Sequence, residues 1–120
     1  MDIEQYNAAW LRAWSEKDVA ALMTFYHEDT LYKDPQTAAG LRGQPALRAY
    51  LTGLFGAMPP TVYVPDEVWP LAGGKGYAGR WVATMDLGEG KTRRFRGFDL
   101  VLLDGEKITL NEVYTHDLEG

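Results

Sequence analysis

Cysteine is absent from this 120-residue chain, which excludes disulfides, thiolate metal sites and cysteine nucleophiles. No apolar run approaches the roughly 20 residues of a membrane-spanning helix. The opening Met1-Asp2-Ile3-Glu4 lacks the basic and apolar regions of a secretory leader. Together these absences lead us to expect a soluble chain of the reducing cytoplasm, with no membrane partner. Positive charge is also scarce: 12 Lys and Arg against 17 Asp and Glu leave a net charge of −5. That balance argues against nucleic acid, which calls for a basic face. The one basic cluster, Arg93, Arg94 and Arg96, reads as the solvated or salt-bridged face of a strand. Of the two histidines, His27 falls at an expected helix end, where a cation is favoured, and His116 lies near the C-terminus. Neither has a partner at ligand spacing, so no metal and no cofactor is expected. Linkers, repeats and low-complexity segments are missing as well, and residues 1–120 read as one domain.

What is present is apolar periodicity, first helical and then alternating. Asp2 to Ser15 reads as a helix capped by Asp2, with Ile3, Tyr6, Trp10, Ala13 and Trp14 on one face. Asp18 reads as a second N-cap, for a helix carrying Val19, Leu22, Met23, Phe25 and Tyr26 and ending near His27-Glu28-Asp29. Thr30 to Asp34 alternates as a short strand, with Thr30, Tyr32 and Asp34 on one face, and Pro35 stops it. A polar loop through Gly40 and Gly43 leads to a third helix, begun by Pro45 and ended by Pro59-Pro60. Leu47, Tyr50, Leu51, Leu54, Phe55 and Met58 form its stripe.

Strands account for the rest. Thr61 to Pro70 contains Pro65, which marks an edge strand or a bulge. Gly76 to Met85 places Tyr77, Trp81, Ala83 and Met85 on one face and Arg80, Val82 and Thr84 on the other. Gly88-Glu89-Gly90 signals a hairpin into Thr92 to Leu103, and Asp104-Gly105 turns into Lys107 to His116. In that last strand Asn111, Val113 and Thr115 share a face. Helices first and strands later predict an α+β fold: a curved antiparallel sheet forming a cone over three N-terminal helices, with a cavity at its open end.

This order, with Lys17-Asp18-Val19-Ala20-Ala21-Leu22, Tyr32-Lys33-Asp34-Pro35, the stretch from Arg42 to Tyr50, Gly97-Phe98-Asp99-Leu100-Val101 and Asp104-Gly105-Glu106-Lys107-Ile108, resembles the nuclear transport factor two-like superfamily. That superfamily includes the ketosteroid isomerases and the SnoaL-like cyclases, and the resemblance covers nearly the whole chain. Within it, the ketosteroid isomerase pattern implies a general base at Asp34 and a protonated, hydrogen-bond-donating acid at Asp99. The oxyanion-hole tyrosine of that pattern falls on Trp10, whose N–H still donates one hydrogen bond. The resemblance also implies a homodimer through the sheet. Arg93, Arg94, Arg96, Glu112 and Tyr114 would give the outward face a polar and aromatic character.

Two roles remain open for the acids. Asp34 and Asp99 are either a proton-transfer pair in an apolar cavity, or a turn-initiating Asp-Pro and a satisfied sheet residue. Trp10, Trp14, Tyr32, Tyr50, Leu54, Trp69, Trp81 and Met85 divide likewise between core and cavity wall. Four tryptophans in so short a chain imply a small, flat, largely apolar ligand. Tyr32 and Tyr50 are candidate replacements for the missing phenol, and Asn111 and Val113 are expected to face the ligand. Arg80 could pair with a cavity acid in the manner of the superfamily's epoxide hydrolases, but the acid that branch requires two residues on is Val82 here. The expected activity is therefore cofactor-independent proton transfer, of isomerase or cyclase type, on a small hydrophobic carbonyl compound. The alternative is a ligand-binding or dimerisation module without chemistry.

Overall fold

Helix α1 (Ile3–Ser15) begins where its first-turn donors find an acceptor: the Asp2 carboxylate accepts from the Gln5 backbone N–H at 3.1 Å. In the computed structural model, which describes residues 1–118, the same device opens α2 (Val19–Met23), where Asp18 accepts from the Ala21 N–H at 3.0 Å. This second helix is shorter than its aromatic periodicity predicts. Thr24 closes it by donating its hydroxyl back to the Ala21 carbonyl at 2.6 Å, and Tyr26 already belongs to strand β1 (Tyr26–Lys33). Pairing with Ile108 and burial of the Tyr26 ring decide the matter over local propensity. His27 consequently sits in a strand and not at a helix end.

Two further elements complete the first half. Strand β2 (Leu41–Arg42), inside the expected polar loop, pairs antiparallel with β1. Helix α3 (Gln44–Ala57) carries Pro45 in its first turn and buries Leu47, Leu51 and Phe55. The chain then runs through β3 (Thr61–Pro70), a short 3-10 turn (Ala72–Gly74), β4 (Gly76–Gly88), β5 (Lys91–Asp104) and β6 (Lys107–Asp117).

The six strands form one curled, unclosed sheet in the order β2-β1-β6-β5-β4-β3. Strand β3 is an edge, and its register slips between Pro65 and Glu67, because proline has no N–H for the ladder. The sheet is not wholly antiparallel. Hairpins join β3 through β6, but β1 lies parallel to β6. The long excursion between those two strands allows either direction.

Alternation then divides each strand. Tyr77, Trp81, Ala83, Asp99, Val101 and Asn111 turn to the concave side and are buried there with Trp10, Leu11, Leu22, Leu47 and Leu51. The fold is therefore α+β, with the helices laid into the hollow of the sheet. The convex side holds Arg80 and Phe98, with Trp69 packed between them. The Trp69 and Phe98 rings lie 6.0 Å apart, and the Arg80 guanidinium sits 5.3 Å from the Trp69 ring. So Trp69 is not a cavity residue. Arg80 bonds Asp66 at 2.7 Å and approaches Glu67 at 3.7 Å, not a cavity acid. Arg93 also departs from expectation. It pairs across from Met85 and bonds Asp117 at 2.7 Å, which puts it on the opposite side from Arg94 and Arg96.

Candidate active site

A pocket of about 260 Å³ opens between α1, α3 and the concave face of the sheet. Helix α1 contributes Trp10 and Trp14, one helical turn apart, and α3 contributes Tyr50 and Leu54. The sheet adds Tyr32, Trp81, Met85 and Val113. The walls are interlocked rings: Trp14 stacks on Tyr32 at 6.4 Å and meets Trp10, Phe55 and Tyr63 edge-on. Such walls suit a flat apolar guest. Asp34 and Asp99 are the two acids that line the pocket.

Asp34 follows the last residue of β1 and precedes Pro35, and it serves both as a turn residue and as pocket wall. Its Oδ1 accepts from the Gln36 N–H and the Thr37 hydroxyl, each at 2.9 Å. Its Oδ2 accepts from the Tyr32 hydroxyl at 2.9 Å and the Tyr50 hydroxyl at 2.6 Å. The two tyrosines that sequence offered as oxyanion donors thus spend their protons on Asp34. Four donors and no acceptor surround it, the set that an ionised carboxylate needs.

Asp99 stands in a different setting. It is 2 % exposed, and burial pushes its carboxyl up to about 7, against hydrogen bonds from Asn111 and Trp81 that hold it down. Trp81 donates its Nε1–H to Oδ1 and Asn111 its Nδ2–H to Oδ2, both at 3.0 Å. Asn111 is fully buried and is not among the residues lining the pocket. It stands behind Asp99 instead of facing a ligand, and its Oδ1 accepts from the Tyr26 hydroxyl at 2.9 Å. Burial first, and then the charge of Asp99, push the Tyr63 and Tyr77 phenols up.

The indole N–H groups of Trp10 and Trp14 are buried without a hydrogen-bond partner. Burial pushes the Tyr26 phenol up, and these two N–H groups pull it partway back.

Sequence reasoning missed several wall residues, among them Leu11, Met58, Tyr63 and Phe95. Phe95 shares alternation parity with Asp99 and was within reach of that signal. Tyr26 was hidden by its assignment to a helix. Among the described residues no cluster of three or more His, Asp or Glu side chains can hold a metal ion. No helix among them is long and apolar enough to cross a membrane.

A sequence model of the SnoaL-like domain matches residues 7–111. No curated protein matches the chain. Among solved structures, a ketosteroid isomerase-like fold from Catenulispora acidiphila, crystallised with trimethylamine, superimposes with a TM-score of 0.81. The two are 19% identical, over 98% of this chain and 88% of that one. A Mycobacterium tuberculosis protein in complex with estradiol-17beta-hemisuccinate gives a TM-score of 0.76 at 17% identity, over 98% and 95% of the two chains. SalBIII, an epoxide hydrolase/cyclase-like enzyme of pyran ring formation in the polyether salinomycin, gives 0.77 at 23% identity, over 94% and 89%. Similarity at these identities establishes a shared fold.

Proposed function

The chain belongs to the SnoaL-like domain family, and from that premise we propose that it catalyses cofactor-independent proton transfer on a small, flat carbonyl compound of steroid- or polyketide-like character. The observation that carries this proposal is the pair of acids in opposite settings on one aromatic-walled pocket. Asp34, ringed by donors, is the base. It takes a proton from the carbon beside the carbonyl, and the C–H electron pair moves into the enolate. Asp99 in its neutral form donates a hydrogen bond to the enolate oxygen. Return of the proton to a conjugated carbon completes an isomerisation, whereas attack of the enolate carbon on a second carbonyl closes a ring, and the alkoxide so formed takes back the proton held by Asp34. That relatives of the same fold were crystallised with an estradiol ester and named as a cyclase-like enzyme supports a guest of this size and shape.

A second reading, a holder without chemistry, is favoured by one observation: Trp10, on which the resemblance puts the tyrosine donor, has its indole N–H buried without a hydrogen-bond partner. Turnover of a β,γ-unsaturated steroid ketone separates the two readings. Asp34→Asn is expected to cut the rate by about 10²-fold or more while the circular dichroism spectrum stays that of the parent. Equal rates in parent and variant would remove Asp34 as the base, and binding of the ketone with no conversion by the parent would leave only the holder. Both readings include a homodimer through the convex face, where Phe98 and Tyr114 are exposed, and sedimentation equilibrium tests it.

A further inference from the structure

We propose that Asn111, oriented by Tyr26, is a positioning residue that leaves the Asp99 proton no recipient except an acceptor oxygen on the pocket's guest. This proposal rests on the reading above, in which Asp99 donates a hydrogen bond. It comes from the direction of the hydrogen bonds behind the pocket, and none of the residues in that chain was assigned this task by sequence.

The bonds run in one direction. The Tyr26 hydroxyl donates to Asn111 Oδ1, 2.9 Å away. With its oxygen occupied, the Asn111 amide presents Nδ2–H to Asp99 Oδ2 at 3.0 Å. From the other side Trp81, whose indole N–H can donate but not accept, gives Nε1–H to Oδ1 at 3.0 Å. Each Asp99 oxygen thus faces a group that gives a proton and cannot receive one. A proton bound to either oxygen has to avoid both neighbours, and the remaining open side is the pocket that Asp99 lines.

The other titratable groups acting near Asp99 are phenols: Tyr26 on β1, Tyr63 on β3 and Tyr77 on β4, all pushed up by burial and therefore neutral and uncharged. Among the described residues the hydrogen bonds to Asp99 come from Trp81 and Asn111, and none joins it to these phenols. The pocket should therefore prefer a guest with a ketone or quinone oxygen at its inner end over a guest of the same shape without one.

Tyr26→Phe is the incisive variant. It frees the Asn111 amide to turn, so that Oδ1 faces Asp99 and takes the proton inward. We would measure binding of 2-acetylnaphthalene and of 2-ethylnaphthalene at pH 6 by tryptophan fluorescence, and the Asp99 carboxyl titration by ¹³C NMR on ¹³C-aspartate protein. The parent is expected to favour the ketone by about tenfold, the worth of one hydrogen bond. Tyr26→Phe should lose most of that preference, hold 2-ethylnaphthalene as before, and raise the Asp99 pKa. Asn111→Leu, similar in volume, should raise it by about one unit through loss of a donor to the charged form. A Tyr26→Phe protein with the parent's ketone preference and an unmoved Asp99 titration overturns the proposal even if Asp34→Asn abolishes turnover. If Asp34→Asn instead leaves turnover intact while Tyr26→Phe erases the ketone preference, the proton-transfer reading falls and the positioning role stands.

Discussion

The Trp81 indole lies so close over Gly97 that a Cβ at that glycine would sit 2.0 Å from Cζ2 of the ring. The two residues face each other across β4 and β5, and Asp99 is the next inward residue along β5. The missing side chain lets the indole lie flat and deliver Nε1–H to Asp99. Gly97→Ala must therefore displace a buried ring or shift a strand. Overpacking of this kind costs about 2 kcal/mol. Urea unfolding should show a lowered midpoint, and the Trp81 indole ¹⁵N–H resonance should lose its hydrogen-bonded shift. A parental midpoint together with an unmoved resonance would mean that the ring has room the geometry denies it.

Burial of Asp99 makes stability depend on pH with a definite sign. Its folded carboxyl titrates at about 7, against about 3.9 in an unfolded chain. Between those values the folded protein holds a proton that the unfolded chain has released. The contribution of Asp99 is therefore fully present below about pH 4, declines as pH rises toward 7, and is level above that, with a slope of at most about 1.4 kcal/mol per pH unit. Other carboxylates titrate in the same window, so the quantity to measure is the parent-minus-variant difference for Asp99→Asn. The parent's advantage over this variant should shrink from pH 4.5 to pH 7. A constant difference would place Asp99 in a solvated setting.

Much of this arrangement is legible in the sequence because it is periodic. The stripe from Leu47 to Met58 and the alternation through Tyr77, Trp81 and Met85 have only one way to bury their apolar faces, and that way forms the pocket wall. Asp2 and Asp18 announce their helices by local chemistry alone. What stayed hidden depends on partners distant in sequence. Tyr26 follows a helical pattern, yet its register with Ile108 makes it a strand residue, and its partner Asn111 is 85 residues away. Alternation places Asn111 on the inner face but not its depth, so whether it meets the guest or stands behind Asp99 was beyond reach. Trp69 was misplaced for a similar reason: the slip at Pro65 changes which face later β3 residues take.

Tyr32 and Tyr50 both donate to one oxygen of Asp34, at 2.9 Å and 2.6 Å. Donors that share an acceptor compensate for one another, so their removal should not be additive. Tyr32→Phe and Tyr50→Phe are each expected to cost about 1 kcal/mol in urea unfolding. The double variant should cost more than their sum, by about 0.5 kcal/mol, because the second deletion strips Oδ2 of its last phenol. Strict additivity would show that the two hydroxyls act on Asp34 independently.

Lys17 joins two helices by an unusual route. Its φ of 54° is left-handed, a conformation that favours glycine, and its Nζ donates to the Met58 carbonyl at 2.5 Å and to the Phe55 carbonyl at 3.4 Å. Those carbonyls lie at the C-terminal end of α3, where a cation is favoured. The residue thus trades backbone strain for a cap between the α1–α2 turn and α3. Lys17→Ala keeps the strain and loses the cap, and should lower stability by about 1–2 kcal/mol. Lys17→Gly loses the cap but relieves the strain, so it should recover about half of that deficit. The ranking parent, glycine, alanine in urea midpoint is the expected outcome. Alanine at or above glycine would show that the left-handed turn costs the chain nothing, and that the cap alone is what Lys17 contributes.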